Sequence, residues 1–351
     1  MRLFVGTARD RLRTVEPFDV PDGDGCIGLR RDGPHLTAVL TLAPGPPSPI
    51  TLPDGPRTRV PLDDIACAMV RRDAHPLRVD VATRTLTSWG DGPAARAYRG
   101  LLGPLAPASH RTVALVVHLD PARFPDAVAL RGGGSVGALR TAIWCVHRVI
   151  AACAAAGVRT RVLTAAELSA DAAWTLDDAA VAARITPDGS EGTAPPLAAD
   201  GQLIGADDGT PVALRVAGPS IPRVAVAADA RTVRQTVVRS MALGVRTHVV
   251  TDRPDQWGPL VDAIGDPVLL SHGQAIPQTA QLVVGDTGEA IRARPGLTVL
   301  DVHRADPPPT ASGCLLHQDP SDSAVLHLVT PGGLRTTVRT VTTPAERELT
   351  G

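Results

Sequence analysis

Arg131-Gly132-Gly133-Gly134-Ser135 runs directly into the longest helix-periodic stretch of the chain. Backbone N–H groups at the start of a helix can hold an anion, and glycines let it approach closely, so this turn could take a phosphate or a partner's group. The spacing is not G-x-G-x-x-G, and the segment ahead of it reads as a short helix and not a strand. The alternative is a turn in which glycine is used because φ must be positive. Thr251-Asp252-Arg253-Pro254 is the other candidate, lying between a strand pattern and a helix pattern, where open parallel sheets bind ligands. Asp252, with Arg253 beside it, could accept ribose hydroxyls there. The stronger reading is a helix cap, with Pro254 as an early helical residue. No two of the 10 histidines stand three to five residues apart, and no cysteine lies at zinc-finger spacing, so no metal site is expected. His317 and His327 flank a turn and could face each other, whereas His118 and His248 read as satisfied polar groups on strands. No G-x-S-x-G elbow and no arranged Ser/His/Asp set is visible, so no catalytic residue and no cofactor is assigned.

Composition excludes further chemistry. The chain contains no lysine, so a Walker-type phosphate loop with its lysine, a Schiff base to pyridoxal and a lysine general base are all ruled out. Asparagine is also missing, while Ala, Arg, Gly and Pro abound, the signature of GC-rich codons such as those of an actinobacterium. A net charge of -1 and 2% aromatic residues leave neither the basic field nor the stacking surface of a nucleic-acid binder. The five cysteines are scattered without C-x-x-C pairs, which suits reduced thiols. No stretch reaches the ~20 consecutive apolar residues of a membrane span. The nearest approach, Thr141 to Ala156, is interrupted by His147 and Arg148.

These residues need elements to position them. With 351 residues and 44% apolar content the chain can build two ordinary domains. Hairpin chemistry at Arg31-Asp32-Gly33-Pro34 joins strands over Cys26 to Arg30 and His35 to Leu42. A short strand at Ile50 to Leu52, a helix from Pro61 to Arg72 and strands around Leu77 to Val81 and Arg111 to Asp120 follow, with a helix at Ala94 to Leu102 between the last two. Ser135 is expected to cap a helix whose stripe is Val136, Leu139, Ile143, Val146, Ile150 and Cys153, stopped by Gly157. A strand at Arg159 to Leu163 and a helix at Ala165 to Trp174 complete this part. Beyond Thr186, a hairpin around Asp207-Asp208-Gly209 leads into alternating strands and helices from Val224 to Leu270, a βαβαβ rhythm. The expected fold is α/β, with two mixed lobes, the second of Rossmann-like character. The expected layout is a basic tail over 1–16, a first domain over 17–185, a Pro/Gly-rich linker over 186–201 and a second domain over 202–345.

Several strings, in this order, resemble the EccE family of type VII (ESX) secretion systems. They are Pro61 to Asp73, Leu77-Arg-Val-Asp-Val81, Tyr98-Arg-Gly-Leu-Leu-Gly-Pro104, Arg111 to Pro121, Arg131 to Arg140 and Arg159 to Glu167. The resemblance covers roughly residues 17 to 176. It implies a soluble domain at the cytoplasmic face of the cell membrane, acting as a scaffold and not as an enzyme. The implied partners are EccB-, EccC- and EccD-like subunits, with the ATPase supplied by EccC. EccE subunits usually begin with two membrane helices, which this chain does not show; Arg2, Arg9, Arg11 and Arg13 then read as a juxtamembrane segment or as a basic tail. The alternative from the residues alone is an α/β enzyme domain that binds a nucleotide sugar or another anion at the glycine turn or at Asp252.

Overall fold

The computed structural model describes residues 16–43, 50–51, 57–70, 73–103, 109–169, 180–218, 221–294, 296–304 and 313–351. The arginine cluster of the expected tail lies outside them, as does the helix expected after Ala165 beyond Ser169. The fold is mixed α/β, divided into two compact units.

The first unit comprises Met1–Gly45, Arg57–Thr85 and Arg111–Ala198. The chain opens with β1 (Phe18–Asp22), β2 (Gly25–Asp32) and β3 (His35–Ala43), with the expected turn between the last two. β4 (Ile50–Thr51) pairs with a strand of the second unit, and α1 (Leu62–Met69) returns to the first. α1 has Asp63 and Asp64 in its first turn, where the helix dipole favours acids, and ends before the expected Arg72. β5 (Arg78–Leu86) and β6 (His110–Leu119) are central strands of an 8-stranded sheet, and between them α2 (Pro93–Leu102) packs with the second unit's core. α3 (Pro125–Leu130), α4 (Gly134–Ala155), β7 (Arg159–Val162) and α5 (Ala165–Ser169) follow. The stretch expected as a linker is partly sheet, since β8 (Ala180–Thr186) and β9 (Gly189–Gly192) form a hairpin on β5. Thr186-Pro-Asp-Gly189 is the turn of that hairpin and so looks linker-like in composition.

α4 lies on one face of this sheet, where Ala142, Cys145, Val146, Val149 and Cys153 join Leu40, Val81, Val113 and Leu115 in one core. Its buried stripe is rotated from the expected one. Val136 is exposed, and Leu139, Ile143 and Ile150 are only partly buried against the core. Nor does Ser135 cap the helix: α4 runs from Gly134, and Gly133 occupies the cap position with no side-chain cap. Among the described residues α4 is the one helix long and apolar enough to cross a membrane, but it is the core helix of this unit.

The second unit comprises Pro46–Pro56, Leu86–His110 and Ala199–Gly351. β4 and α2 thus fall inside the span 17–185 yet pack with later elements. After β10 (Gln202–Asp207) and β11 (Thr210–Leu214), whose Asp208-Gly209 turn has positive φ at both residues, come β12 (Arg223–Ala227) and α6 (Ala230–Ala242). β13 (Thr247–Thr251), α7 (Pro254–Ile264), β14 (Leu270–His272), β15 (Leu282–Asp286) and β16 (Thr298–His303) extend the alternation. β17 (Cys314–Gln318), β18 (Val325–Val329), β19 (Arg335–Thr340) and α8 (Pro344–Thr350) close the chain. The 11-stranded sheet has the order β14-β13-β15-β16-β12-β17-β18-β19-β10-β11-β4, with parallel pairing from β14 to β17 and antiparallel pairing beyond. The parallel run expected from the alternation is present, but its order departs from the 3-2-1-4-5-6 order of a dinucleotide-binding Rossmann sheet. Residues of α2, α6, α7 and α8 pack into one core with Val224, Val226, Leu282, Leu300 and Leu316.

Candidate functional site

The glycine turn of the first unit is held by its own backbone. Gly132, Gly133 and Gly134 all have positive φ, which explains three consecutive glycines without a ligand. Gly132 N–H donates to Ala129 O, Gly133 N–H to Val128 O and Gly137 N–H to Gly133 O. A Cβ at Gly137 would sit 2.3 Å from Val128 O, so this glycine lets α3 and α4 approach closely. Arg131 donates to Asp73 (2.7 Å) and to Ala127 O (3.0 Å), and its guanidinium lies over the ring of Trp144, 4.7 Å from the centroid. Ser135 is exposed in the first helical turn. The five residues are therefore together, with these groups turned to internal bonds.

The other candidate sits at the carboxyl ends of β12, β13, β15 and β16, where an open cleft of about 210 Å³ is lined by Asp229, Arg234, Arg253, Trp257, Asp286 and Arg304, among others. This is where ligands bind in parallel α/β sheets. Asp286 ends β15 and is 1% exposed. It accepts hydrogen bonds from Thr251 Oγ1 (3.0 Å), Trp257 Nε1 (3.1 Å), Arg253 (2.6 Å) and Arg304 Nε (3.3 Å). Arg304 also donates to both oxygens of Asp252 and to the Asp286 carbonyl. Asp252 is held below the usual carboxylate range chiefly by that hydrogen bond from Arg304. Asp252 and Arg253, picked out in the sequence, thus meet Asp286 and Arg304, which were not. The missed signal was present, since both residues stand at the carboxyl ends of apolar strand runs, Leu282-Val-Val-Gly-Asp286 and Thr298 to Arg304. Asp252 does not cap α7; the cap position is Arg253, with no side-chain cap, and Pro254 is the first helical residue.

Two of the strand histidines singled out in the sequence, His248 and His327, find hydrogen-bond partners within the protein. His248 contacts Ser271 Oγ (2.9 Å) and Gly273 O (3.0 Å). His317 and His327 are directly paired across β17 and β18, with ring centroids 6.2 Å apart, and His327 also contacts Asp319 and Thr337. Among the described residues no group of three or more His, Cys, Asp or Glu is placed to hold a metal. Cys145, Cys153 and Cys314 are buried, which pushes each thiol up to about 12, far from a reactive thiolate.

His118 belongs to a polar cluster on the first unit's sheet, where buried Asp80 accepts from His118 (3.0 Å), Arg184 (2.8 Å) and Arg78 (3.1 Å). Burial raises the Asp80 pKa, but the hydrogen bonds from His118 and Arg184 outweigh it and bring it down to about 2 from 3.8. A carboxylate with a depressed folded pKa adds stability above its unfolded pKa and loses it as pH falls through the folded value. Lowering pH from 4 to 2 should therefore remove about 2 kcal/mol from the wild type that Asp80→Asn does not lose. Urea melts of both proteins across that window measure the difference, and parallel pH dependences would rule the cluster out as a source of acid sensitivity.

Comparison with the curated proteins and with the solved structures finds no match. A family model does match, over residues 107–194, the stretch that carries β6, α3, α4, β7, α5 and the β8–β9 hairpin. That family is described as "Putative type VII ESX secretion system translocon, EccE", and over residues 107–194 the chain is similar to it.

Proposed function

We propose that the chain is a non-catalytic structural subunit of a type VII secretion machine, a domain at the cytoplasmic face of the membrane that steadies EccB-, EccC- and EccD-like partners. The observation that carries this reading is the EccE match. It falls on the central strand and core helix of the first unit, whose residues Leu115, Val117, Cys145 and Val146 share one core. The N–H groups of Gly132 and Gly133 are paired within the turn itself, which supports a structural role for that segment.

Co-production with EccB-, EccC- and EccD-like subunits, followed by detergent extraction and affinity purification on EccB, tests the proposal. The chain is expected to co-purify and, when omitted, to leave a complex that dissociates more readily on gel filtration. If the other three assemble, remain equally stable and never retain the chain, the scaffold reading is wrong.

A further inference from the structure

The carboxyl-end cleft of the second unit has more donors than the protein itself uses. We infer that it binds a small free oxyanion, a phosphate or carboxylate group, between Arg253 and Arg304. Both guanidiniums converge on Oδ1 of Asp286, at 2.6 Å and 3.3 Å, so two like charges share one carboxylate oxygen. Asp252 already balances Arg304 and lies 4.0 Å from Arg253, so the site offers an incoming anion hydrogen-bond donors and not surplus charge, and the planar guanidinium fork matches the geometry of phosphate and carboxylate alike.

Arg253 carries the argument furthest. One of its terminal nitrogens donates to Asp286, while its Nε is buried without a hydrogen-bond partner, 4.0 Å from Asp252. Arg234, from α6, adds a third guanidinium to the lining, where it donates to the carbonyls of Thr350 (2.7 Å) and Gln256 (3.2 Å). The first turns of α6 and α7 both border the cleft through Ala230 and Arg253, bringing the positive ends of a 13-residue and an 11-residue helix to the same place. Buried Asp286 fixes the two arginines from behind, as the supporting groups of a preorganised site do.

Size limits the ligand. A cleft of about 210 Å³ is smaller than the ~300–1,000 Å³ of typical small-molecule sites, so what it encloses is one oxyanion and a few further atoms. Asp229, exposed at the rim, caps α6 and accepts from Thr232 N–H (2.7 Å) and Gln318 Nε2 (3.2 Å). This inference is independent of the secretion role and stands or falls separately from it.

Calorimetry on the full chain at low salt, with inorganic phosphate in one arm and malonate in the other, is the test. Saturable one-to-one binding is expected in at least one arm, and the arm that binds more tightly identifies the group. Arg253→Gln should weaken it at least about tenfold, the scale of a lost charge-assisted hydrogen bond. Ala230→Trp removes no side-chain hydrogen bond and fills the cleft from its exposed rim, so it should abolish binding with little change in melting temperature. Absence of saturable heat in both arms, or undiminished binding in folded Ala230→Trp, would overturn the assignment.

Discussion

Replacing Glu346 by alanine is expected to destabilise the second unit by about 3–5 kcal/mol, the scale for removing one partner of a buried ion pair. Arg239 on α6 and Glu346 on α8 are paired with side chains 3% and 2% exposed. The guanidinium donates to both Glu346 oxygens (2.6 Å and 2.9 Å) and to the carbonyls of Leu203 (3.0 Å), Ile204 (2.8 Å) and Val341 (2.6 Å). All its donors are used, and α6 is thereby tied to the second sheet and to α8. Glu346 is also the third residue of α8, and its N–H donates to Thr343 Oγ1 at the helix cap. Alanine leaves a buried arginine without its counter-charge. The pair as such need add little, because well-packed apolar residues often replace buried ion pairs at no net loss. Arg239→Met with Glu346→Leu should therefore be less damaging than Glu346→Ala alone. Urea denaturation followed by circular dichroism on the single and double variants decides this, and a double variant as unstable as the sum of its singles would show that no coupling exists.

Val146→Asp should be at least as damaging to the first unit, costing about 3 kcal/mol or more, because a charge is set among apolar side chains with no partner. Val146 is fully buried on α4, in the core shared with Leu40, Val113 and Leu115. The introduced carboxylate would also lie far along the helix, away from the N-terminal turn where the dipole favours an acid. Arg140→Glu serves as the control on the same helix. Arg140 is exposed and donates only to the Arg131 carbonyl (3.2 Å), so its loss should change stability by less than about 1 kcal/mol. Thermal melts of the two variants should differ by many degrees; equal melting temperatures would mean that α4 does not pack as described.

Much of the local structure was legible because its causes are local. Asp208-Gly209 specifies a two-residue turn with positive φ, and the strands on either side follow from it. The alternation from Val224 to Leu270 requires a parallel run, since each strand is followed by a helical pattern long enough to cross back. Two of the elements that escaped had short-range signals. The Thr343-Pro-Ala-Glu346 cap sequence announces α8, and β17 is the apolar run Cys314-Leu-Leu before His317. The stripe of α4 was misplaced by its two small or polar members, Gly137 and Thr141, which are buried but do not stand out in an apolar count.

By itself, then, the amino-acid sequence determined the α/β class, the hairpins, the parallel alternation and the absence of every chemistry that needs lysine. It also placed Asp252 and Arg253 at a strand end, because a strand pattern next to a helix pattern is readable in a few residues. The tertiary structure alone decided what meets them there. Arg253 reaches Asp286 across 33 residues and Arg304 reaches Asp252 across 52, while Arg239 finds Glu346 across 107. The same holds for β4 and α2, which pack with strands and helices more than a hundred residues later. Such pairings depend on strand order and on which sheet face each helix covers. Many orders satisfy the same apolar periodicity, so only the closing of the core selects among them.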